Sequence, residues 1–390
     1  MTVMKVKPFV CCILVASFMS AACTMPPTDT TDEKSLPTIA SPLAGATVTR
    51  PTQAPQAPAR QTTQVASCPQ PERKALETVF PPITITDVIA FSAEGLQLIE
   101  LNTNVITRIY STTASSPDMA SNLSWSPDGR RIAFVHGNAV PVICAKGYLA
   151  VADLQSGRVH VLSESARNLT RPAWSPDGAR LATVDRDSGH LLIIDVSARR
   201  VVTASAASAT PAPPVWFDGN RVAYLRTVRR EGRPTADLVV QDPNESAFMV
   251  LARDIRANEF ALSPARTQLA YYAGSLRIVD LQSGEWQAYG AEPAERPQWS
   301  PDNRSLLLKR GMAGLFVIQS GSPDVRQLDV LGLPAPAQGW FSDSRRIAIL
   351  IGPEGKLPTL GVYDIATRQL QELPVTVYPP WDFAVNPQAR

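Results

Sequence analysis

From Val79 to its end the chain carries short apolar runs, each closed by a cluster of Gly, Pro, Asn, Asp or Ser. Val88-Ile89-Ala90-Phe91, Leu96-Gln97-Leu98-Ile99-Glu100-Leu101 and Val105 to Tyr110 are the first three. Runs of this length, rich in β-branched and aromatic side chains and bounded by turn formers, predict strands. Apolar residues alternate in some and run together in others, as they do in strands buried between packed sheets. None has the spacing of an amphipathic helix, so the expected class is all-β.

The runs keep step with one recurring stretch. Trp125-Ser126-Pro127-Asp128-Gly129, Trp174-Ser175-Pro176-Asp177-Gly178 and Trp299-Ser300-Pro301-Asp302-Asn303 are near copies. Trp216-Phe217-Asp218-Gly219, Leu262-Ser263-Pro264-Ala265 and Trp340-Phe341-Ser342-Asp343 are weaker ones. Ser, Pro, Asp and Gly stand in the order a type I turn prefers: Pro pre-sets φ at the second position and Gly takes the left-handed residue. Asn303 tolerates that same conformation. Each Trp therefore ends one strand, and the next opens on an apolar pair, as in Ile132-Ala133-Phe134 and Leu181-Ala182-Thr183. Asp153-Leu154-Gln155-Ser156-Gly157 and Asp280-Leu281-Gln282-Ser283-Gly284 repeat the turn after the third strand.

The anchors fall at 125, 174, 216, 262, 299 and 340, and Trp381 follows Trp340 by the same 41 residues that separate Trp299 from Trp340. A mean step of about 43 residues matches a four-stranded propeller blade. Three strands stand before Trp125, and one, Trp381 to Val385, stands after the last hairpin. The expected fold is a seven-bladed β-propeller of four-stranded blades, its ring closed where the C-terminal strand joins the N-terminal three.

Tryptophan, Ser-Pro-Asp-Gly, an aliphatic-Ala-aromatic strand and an Asp-x-x-Ser-Gly turn together resemble the TolB-type propeller repeat, a relative of WD-repeats, from about Val79 to the C-terminus. The sequence departs from that pattern in the shortened stretch between Trp216 and Val222, in Leu262 for Trp, and in Ser344 for Gly. TolB itself carries an α/β domain before its propeller; here a different kind of chain takes that place.

Lys5 and Lys7 precede an apolar run from Phe9 to Met19, then Ser20-Ala21-Ala22 and Cys23. That is the layout of a secretory signal over residues 1–22. It also resembles a bacterial lipoprotein signal, which implies lipidation of Cys23; ordinary cleavage after Ala22 is the alternative. Residues 23–78 are rich in Thr, Pro, Ala, Ser and Gln and carry no apolar periodicity, so they read as a disordered tether with a reach of about 40 Å. Residues 79–390 are the expected propeller. The expected location is the cell envelope, exported and anchored to a membrane through lipid.

Losing Lys5 and Lys7, and no acid, takes the formal net charge from +2 to zero. A neutral chain without a basic stripe argues against nucleic acid as a partner. Cys68 and Cys144 remain after export as a disulfide candidate or as two separate thiols. Asp128, Asp177 and Asp302 occupy turn positions where Asp bonds its own backbone, and the Trp side chains provide apolar area between blades. His136, His160 and His190 lack metal-ligand spacing, and no nucleophile elbow, phosphate loop or Cys-x-x-Cys motif occurs. No catalytic residue, cofactor or metal is therefore expected. Propellers carry recognition on their loops. Arg226, Arg229, Arg230 and Arg233 gather positive charge in the loop Arg226 to Ala236, which reads either as a solvated hairpin tip or as a contact site for an acidic protein or anionic ligand. The expected role is a monomeric, non-catalytic binding scaffold. The alternative is a lyase or hydrolase acting on a polysaccharide or lactone at the channel mouth.

Overall fold

A computed structural model describes residues 71, 76, 78–83, 87–111, 118–138, 146–163, 165–203, 209–255, 260–290, 295–310, 314–330, 339–352, 357–378 and 382–389. The expected signal over 1–22, the expected tether over 23–78 except residues 71, 76 and 78, and Cys23, Cys68, Cys144 and Trp381 lie outside the described residues.

Each Ser-Pro-Asp-Gly stretch folds by the same local bonds. Ser126 Oγ donates to Asp128 Oδ1 at 2.5 Å, the Arg130 amide donates to the same oxygen at 3.1 Å, and the Arg131 amide donates to Ser126 Oγ at 2.9 Å. Ser175, Asp177, Ala179 and Arg180 repeat the set at 2.5, 3.0 and 2.8 Å. Hydrogen bonds from Ser175 and the Ala179 amide hold the Asp177 carboxyl below its ordinary range. Gly129 and Gly178 both take φ 68°, while Asn303 and Ser344 take φ 64° and 57° at the equivalent residue. The repeated aspartates are turn builders.

Seven antiparallel four-stranded sheets result. Blade 1 is Phe383–Val385, Val88–Ser92, Gly95–Glu100 and Ile106–Ser111; blade 2 runs from Asp118 to Val161 and blade 3 from Ala173 to Thr203. Blade 4 runs from Val215 to Ile255, blade 5 from Phe260 to Tyr289, blade 6 from Glu295 to Gln327 and blade 7 from Gly339 to Thr376. First strands touch one another from blade to blade and so form the inner wall. The turns after first and third strands lie at one end of the ring, the turn end. The loops after second strands and the links between blades lie at the other, the loop end.

One bond repeats between blades. The indole N–H of Trp174 donates to the Ser124 carbonyl at 3.0 Å, Trp216 to Ala173 at 3.0 Å, Trp299 to Ala261 at 3.1 Å and Trp340 to Gln298 at 3.1 Å. Each ring fills apolar space between two sheets and satisfies its one polar atom on the preceding blade. Leu262 fills the position in blade 5 and has no such donor.

Ring closure follows the same rule. Ile89 faces Val385, Ala90 faces Ala384 and Phe91 faces Phe383. Trp125 donates to the Ala384 carbonyl at 2.9 Å, so Ala384 stands where Ser124 stands in blade 2. The anchor position of the last repeat is therefore Val385, four residues after Trp381, and Asn386-Pro387-Gln388-Ala389 is its turn. The Ala389 amide donates to the Asn386 carbonyl at 2.9 Å, as Gly129 does to Ser126 at 2.9 Å. Asn386 Oδ1 accepts the Gln388 amide at 2.8 Å in place of the usual Ser-Asp pair, and its Nδ2 donates to the Gly129 carbonyl at 3.0 Å.

Packing also reaches back past Val79. Leu76 and Phe80 are buried in the apolar cluster shared by blades 1 and 2. The Phe80 amide donates to the Gly157 carbonyl at 2.8 Å and the Ile83 amide to Leu154 at 2.8 Å, so this segment covers part of the outer edge of blade 2.

Candidate functional site

The four arginines picked out in the sequence lie in blade 4. Arg226, Arg229 and Arg230 end the second strand, Val222–Arg230, and Arg233 opens the third, Arg233–Gln241. Pairing continues to Arg230 opposite Arg233, so the expected loop from Arg226 to Ala236 is instead a hairpin closed by Glu231-Gly232. Both turn residues have positive φ, 51° and 75°, the geometry that matches the twist of paired strands. Thr227, Val228 and Thr235 favour extended backbone, and Gly232 supplies the turn. Both strands are nine residues long, against six in blade 3. Three extra residues carry the tip about 10 Å further.

The register also divides the charge. Strand alternation puts Arg226, Arg230, Arg233 and Asp237 on one face of the hairpin and Arg229 on the other. Arg230 is held by its own neighbours: Nη2 to Asp237 Oδ2 at 2.6 Å, Nη1 to Asp237 Oδ1 at 2.8 Å, and Nη1 to Asp254 Oδ1 at 2.7 Å. Asp237 is only 4% exposed. The Arg230 hydrogen bonds hold its carboxyl below the usual range in spite of that burial. Arg226 stacks over Phe248 at 4.5 Å. Arg229 and Arg233 are exposed, and among the described residues neither makes a side-chain hydrogen bond or ion pair. Beside the tip lies an open cleft of about 670 Å³ lined by Thr210, Thr227, Arg230, Arg233, Thr235 and Ile255, among others. Its chemistry is mixed: the paired guanidinium of Arg230 and the exposed one of Arg233, the carboxylates of Glu231 and Asp254, three hydroxyls and an apolar wall.

The histidines do not share a site of three ligands; among the described residues no three His, Cys, Asp or Glu side chains converge on one point. His136 is fully buried in blade 2, its Nδ1 3.1 Å from the Tyr110 hydroxyl. His190 opens the third strand of blade 3 at the loop end, and His160 lies on the fourth strand of blade 2.

Near the inner wall, sequence reasoning missed an ion pair whose acid, Asp382, is buried. Arg171 Nη2 donates to Asp382 Oδ1 at 2.5 Å, and the Leu123 amide donates to Asp382 Oδ2 at 2.8 Å. Three blades meet on one carboxylate. No local signal marks it, because the pair is separated by 211 residues.

No protein-family profile matches the chain. A curated TolB homolog from Chlorobium luteolum is 28% identical over 204 residues, covering 45% of this chain and 46% of that protein. The match thus spans less than half the length of that relative. Among solved structures, an oligogalacturonate lyase in complex with manganese is 15% identical with a TM-score of 0.54, covering 76% of this chain and 85% of the lyase. Dihydro-heme d1 dehydrogenase NirN in complex with DHE is 14% identical with a TM-score of 0.52, covering 83% of each chain. At those identities the two structures share the fold alone. By its repeated turns, its indole bonds and its ring, the chain is a seven-bladed β-propeller, with repeats similar to those of the TolB homolog.

Proposed function

We propose that the protein is an exported, lipid-anchored, non-catalytic scaffold of the cell envelope, binding an acidic protein partner at the blade 4 hairpin. The observation that carries the reading is an extended hairpin whose tip arginines, Arg229 and Arg233, are exposed and make no ion pair among the described residues. Asp237 and Asp254 answer the charge of Arg230, which leaves the tip pair to meet a partner. Arg229 and Arg233 stand at the tip, where guanidinium groups give bidentate contacts to carboxylates. The TolB homolog supports an envelope setting, and the tether with Cys23 would supply reach and anchor.

The test is recovery of a partner from envelope extracts, followed by affinity measurement with Arg229→Ala/Arg233→Ala. Loss of two charge-assisted contacts should weaken binding by about 2–4 kcal/mol, and added salt should slow association. Folding stability should stay within about 0.5 kcal/mol of wild type, since both side chains are exposed. Equal affinity of wild type and variant would remove the hairpin from the reading.

The lyase likeness motivates a second reading, a polysaccharide or lactone lyase or hydrolase at the channel mouth. Turnover of oligogalacturonate by the purified chain with manganese added would favour it over the scaffold.

A further inference from the structure

Between blades 2 and 3, at the turn end, a groove of about 250 Å³ is lined by Arg131, Asp153 and His160 and by Val196, Ser197 and Arg199 of the facing turn. Arg199 occupies the left-handed residue of that turn, φ 51°. It crosses to blade 2, where its Nη2 donates to His160 Nδ1 at 2.9 Å. A ring nitrogen that accepts from a guanidinium carries no proton, so the imidazole proton sits on Nε2 and remains available to donate. Arg131 is fixed from the other side: it stacks over Trp174 at 4.8 Å and donates to the Gly178 carbonyl at 2.8 Å.

The repeat provides an internal comparison. Arg368 holds the equivalent left-handed position in blade 7, φ 60°, and crosses to blade 6. There it meets the carboxylate of Asp329 at 3.3 Å. The charge of Arg368 is answered by an acid, whereas that of Arg199 is answered by an imidazole. His160 faces Val151 across the ladder; the equivalent residues in blades 3, 5 and 7 are Val202, Gln287 and Gln371. Among these four blades the imidazole belongs to this groove alone. Asp153 is the acid in the lining, and its Oδ1 already accepts the Gln155 and Ser156 amides at 3.0 Å each. Among the described residues neither Arg131 nor Arg199 forms an ion pair.

We propose that this groove binds a small oxyanion, sulfate or phosphate, the latter free or as a monoester, through the guanidinium groups of Arg199 and Arg131 and the Nε2–H of His160. The donor set is that of oxyanion sites generally: planar guanidinium forks plus a directed N–H.

The pH dependence follows from the charges facing His160, namely Arg199 and Arg158, which disfavour the imidazolium, and Asp153, which favours it. Burial, then Arg199, hold the imidazole below its usual range, so it is neutral at neutral pH. A bound anion stabilises the imidazolium, and protonation of Nδ1 releases Arg199 toward the ligand. Affinity must therefore rise as pH falls through the imidazole's range.

Sulfate is the probe, because it keeps both charges across this range. Calorimetric titration of the full chain should show saturable one-to-one binding, about tenfold tighter near pH 5.5 than near pH 8, the value of roughly one charge-assisted hydrogen bond. Arg199→Gln should weaken binding about tenfold or more by the same measure. His160→Gln should keep the affinity seen at high pH and lose the gain at low pH. Arg368→Gln should bind as wild type. Glycerol phosphate binding as tightly as inorganic phosphate would indicate a monoester ligand such as a headgroup or polymer; preference for inorganic phosphate would indicate the free ion. Absence of saturable sulfate binding near pH 5.5, or undiminished binding by Arg199→Gln, would overturn the proposal.

Discussion

Removal of residues 379–390 should open the ring, lower the melting temperature and cause self-association. The last strand does more than pair with Val88–Ser92. Phe383 is buried, Trp125 loses its acceptor at Ala384, and Ser342 loses the Ala389 carbonyl. Deleting a buried Phe side chain alone costs about 3–5 kcal/mol, against about 5–15 kcal/mol for a whole domain. The freed edge of Val88–Ser92 would offer unpaired backbone to a second copy. Asp382→Asn tests the same junction without shortening the chain. It leaves the Arg171 guanidinium without its counter-charge, and should cost about 2–3 kcal/mol. The cost falls below the roughly 3–5 kcal/mol of breaking a fully buried pair because the Arg171 side chain is 31% exposed. Thermal melting with light scattering checks both variants. A truncated chain that melts with wild type and remains monomeric would refute the closure mechanism.

Trp216→Ala should destabilise by about 4 kcal/mol. Trp216 is 1% exposed, and its indole bonds the Ala173 carbonyl of blade 3 at 3.0 Å. Arg180, from blade 3, stacks on its other side at 4.7 Å. Substitution by Ala opens a cavity, orphans the carbonyl and frees the guanidinium. Trp216→Leu should cost clearly less, because Leu262 occupies the equivalent position in blade 5 and is buried there. Denaturant midpoints at unchanged slope would give both differences. A loss below about 1 kcal/mol for Trp216→Ala would mean the indoles are interchangeable filler rather than blade-to-blade ties.

The candidate sites were unevenly legible. The Arg226–Arg233 cluster is visible as a charge excess in a neutral chain, and its position at the loop end follows from the strand order. Its division between two faces is not visible, because that depends on continuous pairing through Arg230 and Arg233. Neutralisation of Arg230 depends on Asp237 of the third strand and on Asp254, which arrives from the fourth strand across a bulge. Of the proposed oxyanion groove the sequence marks only His160, one of three scattered histidines. His160 and Arg199 are 39 residues apart, close to one repeat, and they meet because equivalent positions of adjacent blades lie side by side.

The sequence by itself determined the strand class, the period and the closed ring of seven, because turn chemistry and apolar runs act over a few residues and then repeat. It also determined that the Asp and Trp of each repeat are structural, since a side chain bonding its own turn leaves a local signature. Only the tertiary structure decided that Val385 rather than Trp381 anchors the last repeat: Trp125 bonds the Ala384 carbonyl, and Asn386 takes over the work of Ser and Asp. Only the tertiary structure joined Arg171 to Asp382 and Arg199 to His160. Those pairs are fixed by how blades stack, through distances that no local pattern of residues encodes.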